Sequence, residues 1–194
     1  MKGNMHLRDP EFVIFTGPMF GSKTTRLLAA VDRYKYQNKI IVAFKPRMDN
    51  RYSNVEICTH SGGKISAIGV ETGTDILEHI DGLEHDVDVI AIDEAFMIDG
   101  CADIALSLFR RGITIIVSSL QLSASGSVFE EVRDMMPWAT KIEICPAVCP
   151  ITGRDAFYTH RKIDSIDEIT VGGADIYEPR CWEYHGFMNN RKES

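Results

Sequence analysis

The sequence predicts an α/β fold, a P-loop parallel sheet with flanking helices plus a small C-terminal lobe, and three observations predict it. Short β-branched runs, apolar enough to be buried on both faces, alternate with helical segments. The first run breaks into a small-residue loop that ends in Lys-Thr at a helix start. From about Cys145 the pattern changes to short β-like pieces separated by turns at Pro150, Gly153 and Gly172-Gly173. The expected division is a P-loop nucleotide-binding domain over residues 11–144 and a small lobe over 145–187.

The first strand, Phe12 to Phe15, leads into Gly17-Pro18-Met19-Phe20-Gly21-Ser22-Lys23-Thr24. In the pattern G-x-x-x-x-G-K-[ST], backbone N–H groups wrap phosphate oxygens, the lysine reaches the β- and γ-phosphates, and the hydroxyl holds Mg²⁺. Gly17, Lys23 and Thr24 fit, whereas Ser22 stands where the second glycine is expected and Gly21 precedes it. If Ser22 has to adopt positive φ, its side chain costs about 1 kcal/mol, unless Gly21 absorbs the change. The same string also reads as a plain strand-to-helix turn capped by Ser22. Leu27, Leu28, Val31 and Tyr34 recur at helical spacing, so a helix starts at the lysine and turns its first N–H groups and positive dipole end toward the loop.

A second strand, Lys39 to Phe44, closes the strand–helix–strand unit. Two further buried runs follow, Val87 to Ile92 and Ile113 to Val117, with a helix from Ala102 to Arg111 between them and Gly112 at its end. Such alternation places ligands at the carboxyl ends of parallel strands. Ser61 to Gly73 is expected as loop or short strand, Ser123 to Ser127 as a flexible stretch, and Asn189 to Ser194 as a frayed end.

Composition is that of a soluble globular chain, 44% hydrophobic and 25% charged. The net charge of −7 leaves no basic footprint, so neither nucleic acid nor an acidic membrane is expected as partner. No apolar run reaches the length of a membrane span, and Met1 to His6 lacks a signal-peptide core, which makes the expected compartment cytoplasmic. Five cysteines form an odd set that argues against a disulfide scaffold. Cys58 and Cys101 stand alone, while Cys145, Cys149 and Cys181 share the C-terminal region with His185.

Asp93-Glu94 directly follows the run ending at Ile92. The first acid after such a strand is placed to support Mg²⁺ opposite Thr24, and Glu94, alternating to the other side, to face an attacking hydroxyl. An acidic strand end before a loop is the alternative.

Taken in order, Gly17-Pro18-Met19-Phe20 with Lys23-Thr24, Lys45-Pro46, Asp49-Asn50-Arg51-Tyr52-Ser53, Thr59-His60, Asp93-Glu94-Ala95, Ala147-Val148-Cys149, Tyr158-Thr159-His160-Arg161 and Gly172-Gly173-Ala174-Asp175 before Tyr177 make up one constellation. It resembles the thymidine kinases of the cellular, zinc-containing type over residues 11 to 185. The resemblance implies transfer of the ATP γ-phosphate to the 5′-hydroxyl of thymidine, giving thymidine monophosphate and ADP. Lys23 would neutralise the transferred phosphate, Thr24 and Asp93 would hold Mg²⁺, Glu94 would act as general base, and Arg51 with Asp49 would border the nucleotide. Glu168, Ile169, Thr170, Val171 and Gly172 match the loop that folds over the base, with Tyr177 beyond it and Met19 and Leu120 lining the pocket. A zinc-ribbon-like lobe, a homotetramer and inhibition by the end-product triphosphate come with the same resemblance.

Departures from the family pattern cluster at the base pocket and the metal. Asp93-Glu94-Ala95-Phe96-Met97 replaces Asp-Glu-Ala/Gly-Gln-Phe, and the family's later Asp and Phe correspond to Gln121 and Ala124. Thymidine leads as substrate; the alternative is a divergent homologue that phosphorylates another deoxynucleoside or binds nucleotides without efficient transfer. The two C-x-x-C zinc pairs are reduced to Cys149 and Cys181, with Thr152 and Tyr184 at the second positions. Either Cys145, Cys149, Cys181 and His185 form a Cys₃His site with shifted spacing, or the lobe has lost its metal and keeps two inert thiols.

Overall fold

The computed structural model describes residues 9–49, 55–59, 62–163 and 172–189. Strand β1 (Phe12–Thr16) sets the layering by simple alternation. Phe12 and Ile14 point into one buried cluster, Val13 and Phe15 into another on the opposite face. Helix α1 (Lys23–Tyr36) covers the second face with Leu27, Leu28 and Val31. Strand β2 (Ile41–Pro46) completes the predicted unit.

Next come a small antiparallel pair, β3 (Glu56–Cys58) with β4 (Lys64–Ser66), and the short strand β5 (Ile68–Val70). Helix α2 (Gly73–Asp81) went unassigned in the sequence reading. Its start is a capping box: Asp75 N–H donates to Thr72 Oγ1 (3.4 Å) and Thr72 N–H to Asp75 Oδ2 (3.1 Å). Ile76 and Ile80 then bury one stripe. Strand β6 (Val89–Ile92), helix α3 (Cys101–Arg110) and strand β7 (Thr114–Ser119) follow close to the expected places. Helix α4 (Glu130–Met135) and strand β8 (Lys141–Ile144) complete the layer.

Six strands pair in parallel in the order β5-β2-β6-β7-β1-β8. Helices α2 and α3 seal the face lined by Phe12, Ile14, Phe44, Ile90, Ile92, Ile115 and Val117, and α1 seals the other. With both faces buried, the strands read as near-continuous apolar runs. All six therefore end along one edge, which gathers the segments after Thr16, Pro46, Ile92 and Ser119.

Beyond β8 the chain forms two antiparallel pairs, β9 (Ala147–Val148) with β10 (Asp155–Ala156), and β11 (Tyr158–Arg161) with β12 (Tyr177–Arg180). Ala147, Cys149, Ala156 and Cys181 form a small buried cluster of their own, against which Phe20 and Tyr184 pack. Among the described residues no helix is long and apolar enough to cross a membrane.

Candidate active site

The turn from Gly17 to Ser22 is shaped by what lies behind it. Cys145 N–H donates to Thr16 O (2.7 Å), which brings the end of β8 against the loop. A Cβ on Gly17 or on Gly21 would lie 2.3 Å from the Cys145 carbonyl oxygen, so neither position has room for a side chain. Three loop residues take positive φ: Gly17 at 141°, Phe20 at 64° and Ser22 at 58°. The expectation that Gly21 absorbs the left-handed conformation is therefore corrected: Ser22 bears it, and Gly21 is needed for space. Nor is Ser22 a side-chain cap for α1, since its hydroxyl makes no capping hydrogen bond. The first turn of α1 holds no acidic residue to compete for an anion. Lys23 is buried, and its Nζ donates to Pro18 O (2.6 Å), so the ammonium lies folded into the loop it would share with a phosphate.

Across the cavity, Thr24 Oγ1 donates to Asp93, 3.1 Å from Oδ1 and 3.3 Å from Oδ2. Ser118 donates a short hydrogen bond to the same carboxylate from the end of β7. Asp93 is raised from the ordinary carboxylate range to about 7, first by burial and then by the neighbouring Glu94 charge, against the lowering effect of the Ser118 and Thr24 hydrogen bonds. The donor set suits a hard divalent cation: an alcohol oxygen and a buried carboxylate, with Asp49 and Glu94 lining the same cavity. Mg²⁺ fits these residues on chemical grounds, and Thr24 and Asp93 would hold it.

Glu94 leaves the strand with φ 50° and ψ 45°. Uncommon for a non-glycine residue, that conformation swings its carboxylate off the strand's alternation and onto the cavity wall. The following 3₁₀ turn (Ala95–Met97) is pinned by Phe96 N–H donating to Ser119 Oγ (3.1 Å), so the two serines ending β7 fix both members of the acid pair.

The cavity, about 480 Å³, is lined by Met19 to Thr25, Lys45, Asp49, Glu56 to Thr59, Asp93, Glu94, Gly173 and Ala174. It unites Met19 to Thr24 with Asp49, Asp93, Glu94 and Gly173, while Gly17 and Pro18 of the predicted phosphate loop do not line it. Phe96, Leu120, Ala124, Gly172 and Tyr177 do not line it. Leu120 is core, Tyr177 pairs with Arg161 in the β11–β12 ladder, and Phe96 stacks on Phe129 with ring centroids 4.4 Å apart. Arg51, Glu168, Ile169, Thr170 and Val171 lie outside the described residues. Sequence reasoning missed Ser118, Ser119 and Phe129, and named Thr159 only within the family constellation, without its contact: Thr159 Oγ1 accepts from Met19 N–H (3.0 Å) and ties β11 to the loop.

The four candidate zinc ligands do not come together. Cys145 belongs to the sheet's own core as the wall behind the loop, whereas Cys149 and Cys181 sit in the separate C-terminal cluster. His185 Nε2 lies 2.8 Å from Thr159 O, which places the ring proton on Nε2, and its ring packs beside Tyr158 and His160. Among the described residues no three His, Cys, Asp or Glu side chains assemble as a metal site.

A parallel sheet whose first strand feeds a loop–helix anion cradle, facing a buried Asp93 and the adjoining Glu94 at a strand end, defines a P-loop nucleotide-binding protein. The family model for thymidine kinase matches residues 11–185, nearly the whole chain, so the protein belongs to the thymidine kinase family. It is accordingly a kinase, a phosphotransferase of nucleotide salvage.

Proposed function

We propose that the protein transfers the γ-phosphoryl group of ATP to the 5′-hydroxyl of thymidine, with residues 11–144 binding the nucleotide and 145–187 forming the lobe that covers the nucleoside. The observation that carries this reading is the Thr24–Asp93 hydrogen bond across a cavity that Lys23 and Glu94 also line. In the reaction the Gly17–Lys23 loop and the α1 N-terminus hold the β- and γ-phosphates by backbone N–H groups, and Lys23 exchanges Pro18 O for phosphate oxygen. Glu94 accepts the proton of the 5′-hydroxyl as the new P–O bond forms and the bond to ADP breaks. Mg²⁺ would supply charge neutralisation on the phosphates when bound; Thr24 and Asp93 would hold it, and Arg51 with Asp49 would border the nucleotide as the family resemblance implies. By the family resemblance, Glu168 to Gly172 would be the segment that covers the base. The family reading brings with it a homotetramer working in the cytoplasm.

The test is Mg²⁺-dependent transfer from ATP to thymidine by the purified protein, with deoxyuridine and deoxycytidine alongside. Transfer to thymidine is the expected result. Preference for another nucleoside would give the altered residues Phe96, paired with Phe129, and Ala124 a role in base choice from outside the cavity lining. A folded protein that transfers to none of them would leave a nucleotide binder.

Asp93 adds a pH dependence of definite sign. In the metal-free fold its carboxyl is raised to about 7 by burial and by Glu94, so near neutrality it holds a proton that a bound cation must displace. Mg²⁺–ATP binding is expected to tighten as pH rises and to level off about one unit above pH 7, releasing on the order of half a proton near neutrality. Calorimetry in buffers of different ionisation enthalpy measures the release, and the Asp93→Asn protein corrects for protons from ATP itself. Identical proton release in the two proteins would mean that Asp93 is already ionised.

A further inference from the structure

We propose that the C-terminal lobe of this chain folds without zinc, its two remaining thiols being enclosed by Thr152, Arg154 and Tyr184 in the space where the family places the metal. Three observations lead there, none of which depends on the transfer reaction. The first is the donor set. A structural zinc site is four-coordinate and built from thiolate or imidazole, and the positions completing the two cysteine pairs here carry a threonine hydroxyl and a tyrosine.

The second is what surrounds the sulfurs. Thr152 Oγ1 lies 3.6 Å from Cys181 Sγ, and Cys149, fully buried, shares one small cluster with Cys181. Arg154 Nη2 stands 3.7 Å from Cys181 Sγ and is anchored on the far side by a salt bridge to Glu183. A guanidinium at that distance, though its side chain is 60% exposed, sets positive charge beside the sulfur and disfavours a second cation there. Tyr184 packs on the same cluster as an apolar lid.

The third is that, among the described residues, no third His, Cys, Asp or Glu joins the pair as a metal site. Cys145, four residues before Cys149, is held at the end of β8 by its N–H bond to Thr16, and its carbonyl forms the wall behind Gly17 and Gly21. His185, four residues after Cys181, donates from Nε2 to Thr159 O and has a buried Nδ1 without a hydrogen-bond partner, but its ring does not gather with the two thiols as a metal site among the described residues. The lobe is fastened instead by its two hairpins and by the phosphate loop: Phe20 seats against the thiol cluster while Met19 N–H binds Thr159.

The experiment is metal analysis of the purified full-length protein, paired with thermal melts in a zinc-selective chelator that spares Mg²⁺. Substoichiometric zinc and an unchanged melting temperature are expected. The double variant Thr152→Cys with Tyr184→Cys, which restores four thiols, is expected to take up one zinc per chain and to melt lower once chelated. Wild-type protein carrying one zinc per chain, with a melt that collapses on chelation, would overturn the proposal. A folded double variant that still refuses zinc would overturn the assignment of Thr152 and Tyr184 as the residues that exclude it.

Discussion

Glu94→Gln is expected to lower kcat for phosphoryl transfer by about 10²–10⁴-fold, the usual contribution of a positioned general base, while leaving ATP affinity unchanged. The substitution is close to isosteric, and the backbone that aims the side chain is held independently of its charge. Glu94 stands at φ 50° because the 3₁₀ turn behind it is fixed by Phe96 N–H on Ser119 Oγ and by Met97 N–H on Glu94 O (3.0 Å). Glutamine in that place keeps the contour of the cavity but cannot accept the hydroxyl proton. A second readout guards against a purely structural effect. The Glu94 charge is the second-largest cause, after burial, of the raised Asp93 carboxyl, so removing it should move the Mg²⁺-linked proton release of Glu94→Gln to lower pH. Wild-type kcat in the variant would sink the base assignment. An unmoved proton release would sink the electrostatic coupling between the two acids.

How far the sequence could lead depended on whether a feature was local. β1, the loop and α1 form one continuous segment whose apolar alternation, glycines and Lys-Thr follow each other directly, and Asp93-Glu94 announces itself at the end of a buried run. Helix α2 also left a local trace, Thr72 three residues before Asp75 and then Ile76 and Ile80, but the glycine-dotted stretch before it drew the reading toward loop. What escaped notice spans the chain. Ser118 reaches Asp93 across 25 residues, and Thr159 reaches Met19 across 140. No periodicity announces such contacts. Cys145 shows the opposite hazard: four residues from Cys149 in sequence, it belongs to a different core, because the chain leaves the large sheet between them.

Placing a side chain at Gly21 is expected to damage the phosphate loop, and relieving Ser22 to improve it. In Gly21→Ala the new Cβ would stand 2.3 Å from Cys145 O and 3.2 Å from Pro18 O, both backbone atoms, so the loop or the end of β8 must shift. Overpacking of this kind costs about 1–3 kcal/mol, and if the cost falls on the bound conformation, ATP affinity drops about tenfold or more. Ser22 sits at φ 58° and ψ 25°, a left-handed conformation that costs a non-glycine residue about 1–2 kcal/mol. Ser22→Gly is therefore expected to raise stability by up to about 1 kcal/mol, the added freedom of glycine in the unfolded chain offsetting part of the gain. The exchange Gly21→Ser with Ser22→Gly restores the strict G-K-T spelling and yet should melt lower and bind ATP more weakly than Ser22→Gly alone. The glycine–serine order thus follows from the chain's own geometry: Cys145 crowds position 21 so closely that glycine is required there, and position 22 carries a strained serine in consequence. Melting temperatures and ATP dissociation constants of the three variants decide it. A double variant that binds ATP better than Ser22→Gly would show that Cys145 yields to a side chain at position 21.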